Sequence, residues 1–134
     1  MRRTDVLKKQ VIRSPMVADP GGPFSQAVSV EAVRLTWVSG QVGLAPGDGG
    51  VVHGDMATQT RQVMENVKAL LLAAGLTFDH VVKTTVFLVD LADLPIVNAE
   101  YGKFFGERQP ARSTVAVAAL PREGRIEVEC VAAS

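Results

Sequence analysis

Between Asp55 and Gly75 the hydrophobic period of the chain changes, and that change limits the folds open to it. Met56, Val63, Val67, Leu70 and Ala74 fall at helical spacing while Arg61, Glu65 and Lys68 occupy another face, which predicts one amphipathic helix. Asp55 stands where an N-cap belongs, and Gly75 where a left-handed terminating residue belongs. The segments on either side read as strands. An amphipathic helix among strands needs a sheet to cover, which selects an α+β architecture.

The strand signals are of unequal clarity. The breaker cluster Asp19-Pro20-Gly21-Gly22-Pro23 separates a short apolar stretch from Phe24-Ser25-Gln26-Ala27-Val28. Ala27 to Val30 and Leu35 to Ser39 then read as two strands around a tight reversal near Glu31-Ala32-Val33. Pro46-Gly47-Asp48-Gly49-Gly50 is a turn by composition. Past the helix, Val81 to Val89 is a run of β-formers. Asp93-Leu94-Pro95 opens a second helix with a cap and an early proline; Leu94, Val97, Tyr101 and Phe104 stripe it and Gly106 closes it. Ser113 to Ala119 and Arg125 to Val131 complete the order β-β-β-α-β-α-β-β, a mixed sheet with both helices on one face. Val86, Phe87, Leu88 and Val89 are apolar at both parities, so a partner subunit is expected on the face away from the helices; ordinary exposed valines on a monomer are the alternative.

With 134 residues, no internal repeat and no linker, residues 1–134 form one domain. Fourteen basic residues balance fourteen acidic ones, which removes the positive field that drives binding to nucleic acid or to an anionic membrane. The single cysteine, Cys130, reads as a small buried hydrophobe and suits a reducing compartment, so a cytoplasmic location is expected. No apolar run is long enough to span a bilayer, and Met1-Arg2-Arg3-Thr4-Asp5 reads as a solvated tail.

Two charges stand out against apolar surroundings. Arg112, in Pro110-Ala111-Arg112-Ser113-Thr114, has small neighbours that leave its head group accessible, and a guanidinium fork suits a carboxylate. A plain ion pair with Glu127 or Glu129 is the competing reading. Glu127, in Arg125-Ile126-Glu127-Val128-Glu129, lies by alternation on the face opposite Ile126 and Val128, where a carboxylate can orient or deprotonate water. Alternatively, Glu127 and Glu129 are the wet side of an edge strand. His53 and His80 lack the neighbours of a metal cluster, and the glycines at 47, 49 and 50 lack the Gly-Lys-Ser/Thr of a phosphate loop.

Five blocks in order resemble the Rid (reactive intermediate deaminase, YjgF-type or L-PSP-like) family. They are Gly22-Pro23-Phe24-Ser25-Gln26-Ala27-Val28, Val38-Ser39-Gly40-Gln41, Gln59-Thr60-Arg61-Gln62-Val63-Met64-Glu65-Asn66, Val82-Lys83-Thr84-Thr85-Val86 and the C-terminal pair of segments. Residues 1–19 match less well. The resemblance implies a homotrimer of chorismate-mutase-like subunits with clefts between neighbours. It also implies cofactor-free and metal-free hydrolysis of 2-imino acids, such as 2-iminopropanoate and 2-iminobutanoate, to 2-oxo acids and ammonia. In that scheme Arg112 holds the substrate carboxylate, Glu127 positions the water, and Thr114, Phe24, Gly40 and Asn98 border the pocket. Many members have tyrosine where this chain has Phe24, so one orienting hydroxyl is missing. A non-catalytic carboxylate binder or chaperone-like trimer is the first alternative, and a ribonuclease or translation inhibitor the second.

Overall fold

A computed structural model describes residues 7–19, 21–47, 50, 52 and 54–134. The tail from Met1 to Asp5, Pro20 of the breaker cluster, Asp48 and Gly49 of the glycine turn, and His53 lie outside the described residues. The elements run β1 (Lys8–Ile12), β2 (Ala27–Glu31), β3 (Leu35–Gln41), α1 (Met56–Ala73), β4 (Val81–Leu88), α2 (Leu94–Tyr101), β5 (Ala111–Ala116) and β6 (Ile126–Ala133). This is the α+β order that the sequence predicts.

Helix α1 begins as expected. The Asp55 carboxylate accepts from the Thr58 amide at 2.8 Å, and Gly75 takes φ +76° just past the end, a conformation costly for any residue with a Cβ. Its buried stripe, from Met56 through Val63, Met64, Val67 and Leu71, packs on Val38, Val86, Val128 and Cys130 of the sheet. Helix α2 differs from expectation at both ends. Asp93 makes no capping hydrogen bond; its carboxylate meets Arg125 at 3.2 Å, while Asp90 accepts from the Ala92 amide and starts a 3-10 turn ahead of the helix. The α-helix stops at Tyr101 and continues as a 3-10 turn only to Phe104. Among the described residues, no helix is long and apolar enough to cross a membrane.

The main sheet has the order β3-β6-β4-β5, antiparallel except for the β4–β5 pair, and β1 and β2 form a separate antiparallel ribbon. The reversal at Glu31-Ala32-Val33 therefore joins two sheets and closes no hairpin. The Val33 and Arg34 amides both donate to the Ser134 carbonyl, which ties that corner to the end of β6. Because β6 lies inside the sheet, Glu127 and Glu129 are not on an edge strand. The edge beside β4 is β5, the strand that bears Arg112.

Burial sets one consequence for stability. Cys130 lies on the helix side of β6, and burial, with Glu129 adding to it, pushes its thiol from 9.0 up to about 12. An unfolded chain releases that proton first, so the contribution is complete below pH 9 and is lost as pH rises toward 12, on the order of 1.4 kcal/mol per pH unit. Thermal unfolding followed from pH 8.5 upward is expected to show a falling Tm that Cys130→Ala flattens. An unchanged slope in the variant contradicts this assignment.

Candidate functional site

Arg112 owes its place to the parallel register of β5 on β4, which sets it beside Thr84. Alternation then points Arg112, like Thr84, Val86 and Leu88, toward the helices. There α2 offers Asn98 and Tyr101, one turn apart. Arg112 Nη1 donates to Asn98 Oδ1 at 2.7 Å, and the guanidinium carbon stands 5.1 Å from the centre of the Tyr101 ring. On another side it stands 5.4 Å from the Phe24 ring. Phe24 is delivered by a loop sewn to the start of β5: the Ser25 amide donates to the Pro110 carbonyl at 3.0 Å, and Ser25 bridges Ala111. Gly22 lets that loop pass close, with φ +118° and a Cα whose added Cβ would lie 3.1 Å from the Phe24 ring.

The competing ion pair with Glu127 or Glu129 does not form. Among the described residues Arg112 has no carboxylate within salt-bridge distance, and its hydrogen-bond partner is a neutral amide. Partial burial lowers its pKa, opposed by Tyr101, yet a guanidinium stays protonated in any protein. The result is a positive charge held in place without being neutralised. Burying such a charge is unfavourable unless an anion joins it, so the arrangement suits a small carboxylate. Thr114, two residues on and on the same side, has a buried Oγ1 without a hydrogen-bond partner.

Glu127 goes elsewhere. It pairs in register with Phe87 of β4, three residues from Thr84, so it emerges on the face of the sheet opposite Arg112. Gly40 of β3 lies directly under its carboxylate: a Cβ there would come 2.7 Å from Cδ and 2.8 Å from Oε2. Of the residues singled out in the sequence, Arg112, Asn98 and Phe24 come together on one side, with Thr114 beside them, and Glu127 and Gly40 on the other. The Glu127 face also carries Leu35, Trp37 and Val115, with Trp37 70% exposed.

Tyr101 is the residue that sequence reasoning passed over as part of an apolar stripe. It is fully buried, its ring flanks Arg112, and its hydroxyl lies 2.7 Å from Thr84 Oγ1. The available signal was its spacing from Asn98, three residues along one helix face.

Residues 15–134 match the family described as Endoribonuclease L-PSP. The chain is 46% identical over 134 residues to Protein DfrA of Myxococcus xanthus, with both chains fully covered. It is 43% identical over 126 residues to the 2-iminobutanoate/2-iminopropanoate deaminase of Homo sapiens, covering 94% of this chain and 90% of that one. Among solved structures, YyfB of the conserved Rid protein family from Yersinia pestis superposes with a TM-score of 0.87 at 32% identity, covering 95% of this chain and 99% of that one.

Proposed function

The chain belongs to the endoribonuclease L-PSP, or Rid, family, and we propose that it hydrolyses short 2-imino acids to 2-oxo acids and ammonia. The observation that carries this reading is the uncompensated guanidinium of Arg112, held by Asn98 and flanked by Phe24 and Tyr101. A relative at 43% identity is named for this chemistry. Zero net charge gives no field for a polyanion such as RNA.

Because Arg112 and Glu127 occupy opposite faces of one sheet, we assign the working site to two copies of the chain. One contributes the guanidinium and its neighbour the carboxylate, in the homotrimer that the family resemblance implies. The leucine, tryptophan and valine around Glu127 are the surface such a neighbour would cover.

The chemistry asks for little beyond these groups. A protonated imine is already electrophilic at C2. Arg112 fixes the carboxylate, which sets C2 within reach of a water that Glu127 orients. Glu127 takes a proton as the water oxygen bonds to C2 and returns it to nitrogen. The hydroxyl of the resulting intermediate then gives its remaining proton to Glu127 as the C–N bond breaks and a C=O bond forms, and the released ammonia takes that proton, so iminium plus water gives 2-oxo acid plus ammonium. An apolar cleft strengthens both electrostatic contacts.

The direct test generates 2-iminobutanoate enzymatically and follows the appearance of 2-oxobutanoate. The protein is expected to accelerate it. Binding of 2-oxobutanoate with no acceleration would make the protein a carboxylate binder and overturn the enzymatic reading. A finer expectation concerns Gly40→Ala. The three atoms nearest the new Cβ are Cδ, Oε2 and Cγ of the flexible Glu127 side chain, so the carboxylate moves while the fold stays intact. Turnover is expected to fall about ten- to a hundredfold, with unfolding free energy changed by less than about 1 kcal/mol. Equal losses in both measurements would show that Gly40 serves the fold.

A further inference from the structure

Resting on that reading of Arg112, we propose that Tyr101 is a positioning residue, which together with its partner Thr84 holds the guanidinium in the orientation that receives a carboxylate. Thr84 is the residue directly beside Arg112 in the β4–β5 register, and both side chains point to the same side of the sheet. A hydrogen bond of 2.7 Å between the tyrosine hydroxyl and Thr84 Oγ1 therefore fixes the ring against the neighbouring strand's arginine. Phe105 packs against the ring at 4.8 Å between centres, and Phe78 joins Phe105 at 5.1 Å and Phe104 at 5.4 Å. Burial pushes the phenol up to about 12, so the hydroxyl is protonated at neutral pH.

The two contacts from α2 do different things to one guanidinium. Asn98 fixes Nη1, while the face of Tyr101 attracts the cation through the ring quadrupole. Neither supplies an anion. Arginine otherwise carries large rotamer freedom, and ordering it at the moment of binding weakens affinity. A preset guanidinium avoids that loss, which places the effect of Tyr101 on substrate binding and not on proton transfer. Tyr101 touches Arg112 and has no need to touch substrate.

The test uses the full chain in its natural assembly, with Tyr101→Leu, Tyr101→Phe and Thr84→Val compared with wild type. Tyr101→Leu is expected to raise KM for 2-iminobutanoate and Kd for 2-oxobutanoate about tenfold, with kcat within about twofold. Tyr101→Phe keeps the ring and is expected to rescue most of that loss. Thr84→Val frees the ring without altering it and is expected to raise KM about threefold. If Tyr101→Leu fails to fold, the other two decide. Folded variants with wild-type KM, or with losses confined to kcat, overturn the role of Tyr101. Failure of the wild type to bind 2-oxobutanoate overturns the reading of Arg112, and this inference with it.

Discussion

Arg112→Ala is expected to lower kcat/KM for 2-iminobutanoate by about 10²- to 10³-fold, mostly through KM. Removing one partner of a buried, hydrogen-bonded charge pair costs about 2–5 kcal/mol, and every 1.4 kcal/mol is a factor of ten in affinity. The loss extends to calorimetric binding of 2-oxobutanoate, which shares the carboxylate. Folding should suffer little, because the residue has no ion pair to lose and its principal bond is to the neutral Asn98. Arg112→Lys keeps the charge but loses the planar fork, so its KM is expected to lie between the two. Initial rates across a range of imine concentrations check this, and a wild-type KM in Arg112→Ala would remove the carboxylate clamp from the mechanism.

In the proposed mechanism Glu127→Gln acts on the other half of the reaction. Loss of the group that takes and returns a proton is expected to reduce kcat by about 10²- to 10⁴-fold, while Kd for 2-oxobutanoate stays near wild type. The two impaired variants, assayed at imine concentrations below the KM of Arg112→Ala, also test the division of labour between copies. Equal amounts of Arg112→Ala and Glu127→Gln protein, unfolded and refolded together, should regain activity in about one quarter of the sites, since random mixing gives that share an intact pair. No recovery on mixing would confine the reaction to groups within a single chain.

Much of this was legible in the sequence, for reasons that are local. Helix α1 announces itself through one continuous period with a cap at each end, and Asp55 and Gly75 do what their chemistry suggests. Alternation correctly puts Glu127 opposite Ile126 and Val128, both buried. What the sequence left hidden depends on contacts between distant segments. Asp93 is drawn from its capping role by Arg125, thirty-two residues away. That Arg112 and Glu127 leave the sheet on opposite sides follows from how β5 and β6 each register on β4, which no local pattern encodes. The same holds for Tyr101, whose stripe position says "buried" and whose contact with Arg112 emerges only when α2 packs over β5.

The register of β5 also makes the signature around Arg112 sensitive in an unusual way. One residue inserted between Pro110 and Arg112, or one deleted, would exchange the roles of neighbouring positions along the strand and send the guanidinium through to the far surface, leaving Ser113 or Ala111 under α2. The motif can therefore tolerate changes of spelling far better than changes of count, and natural insertions should accumulate in the turns that flank it and spare the strand itself.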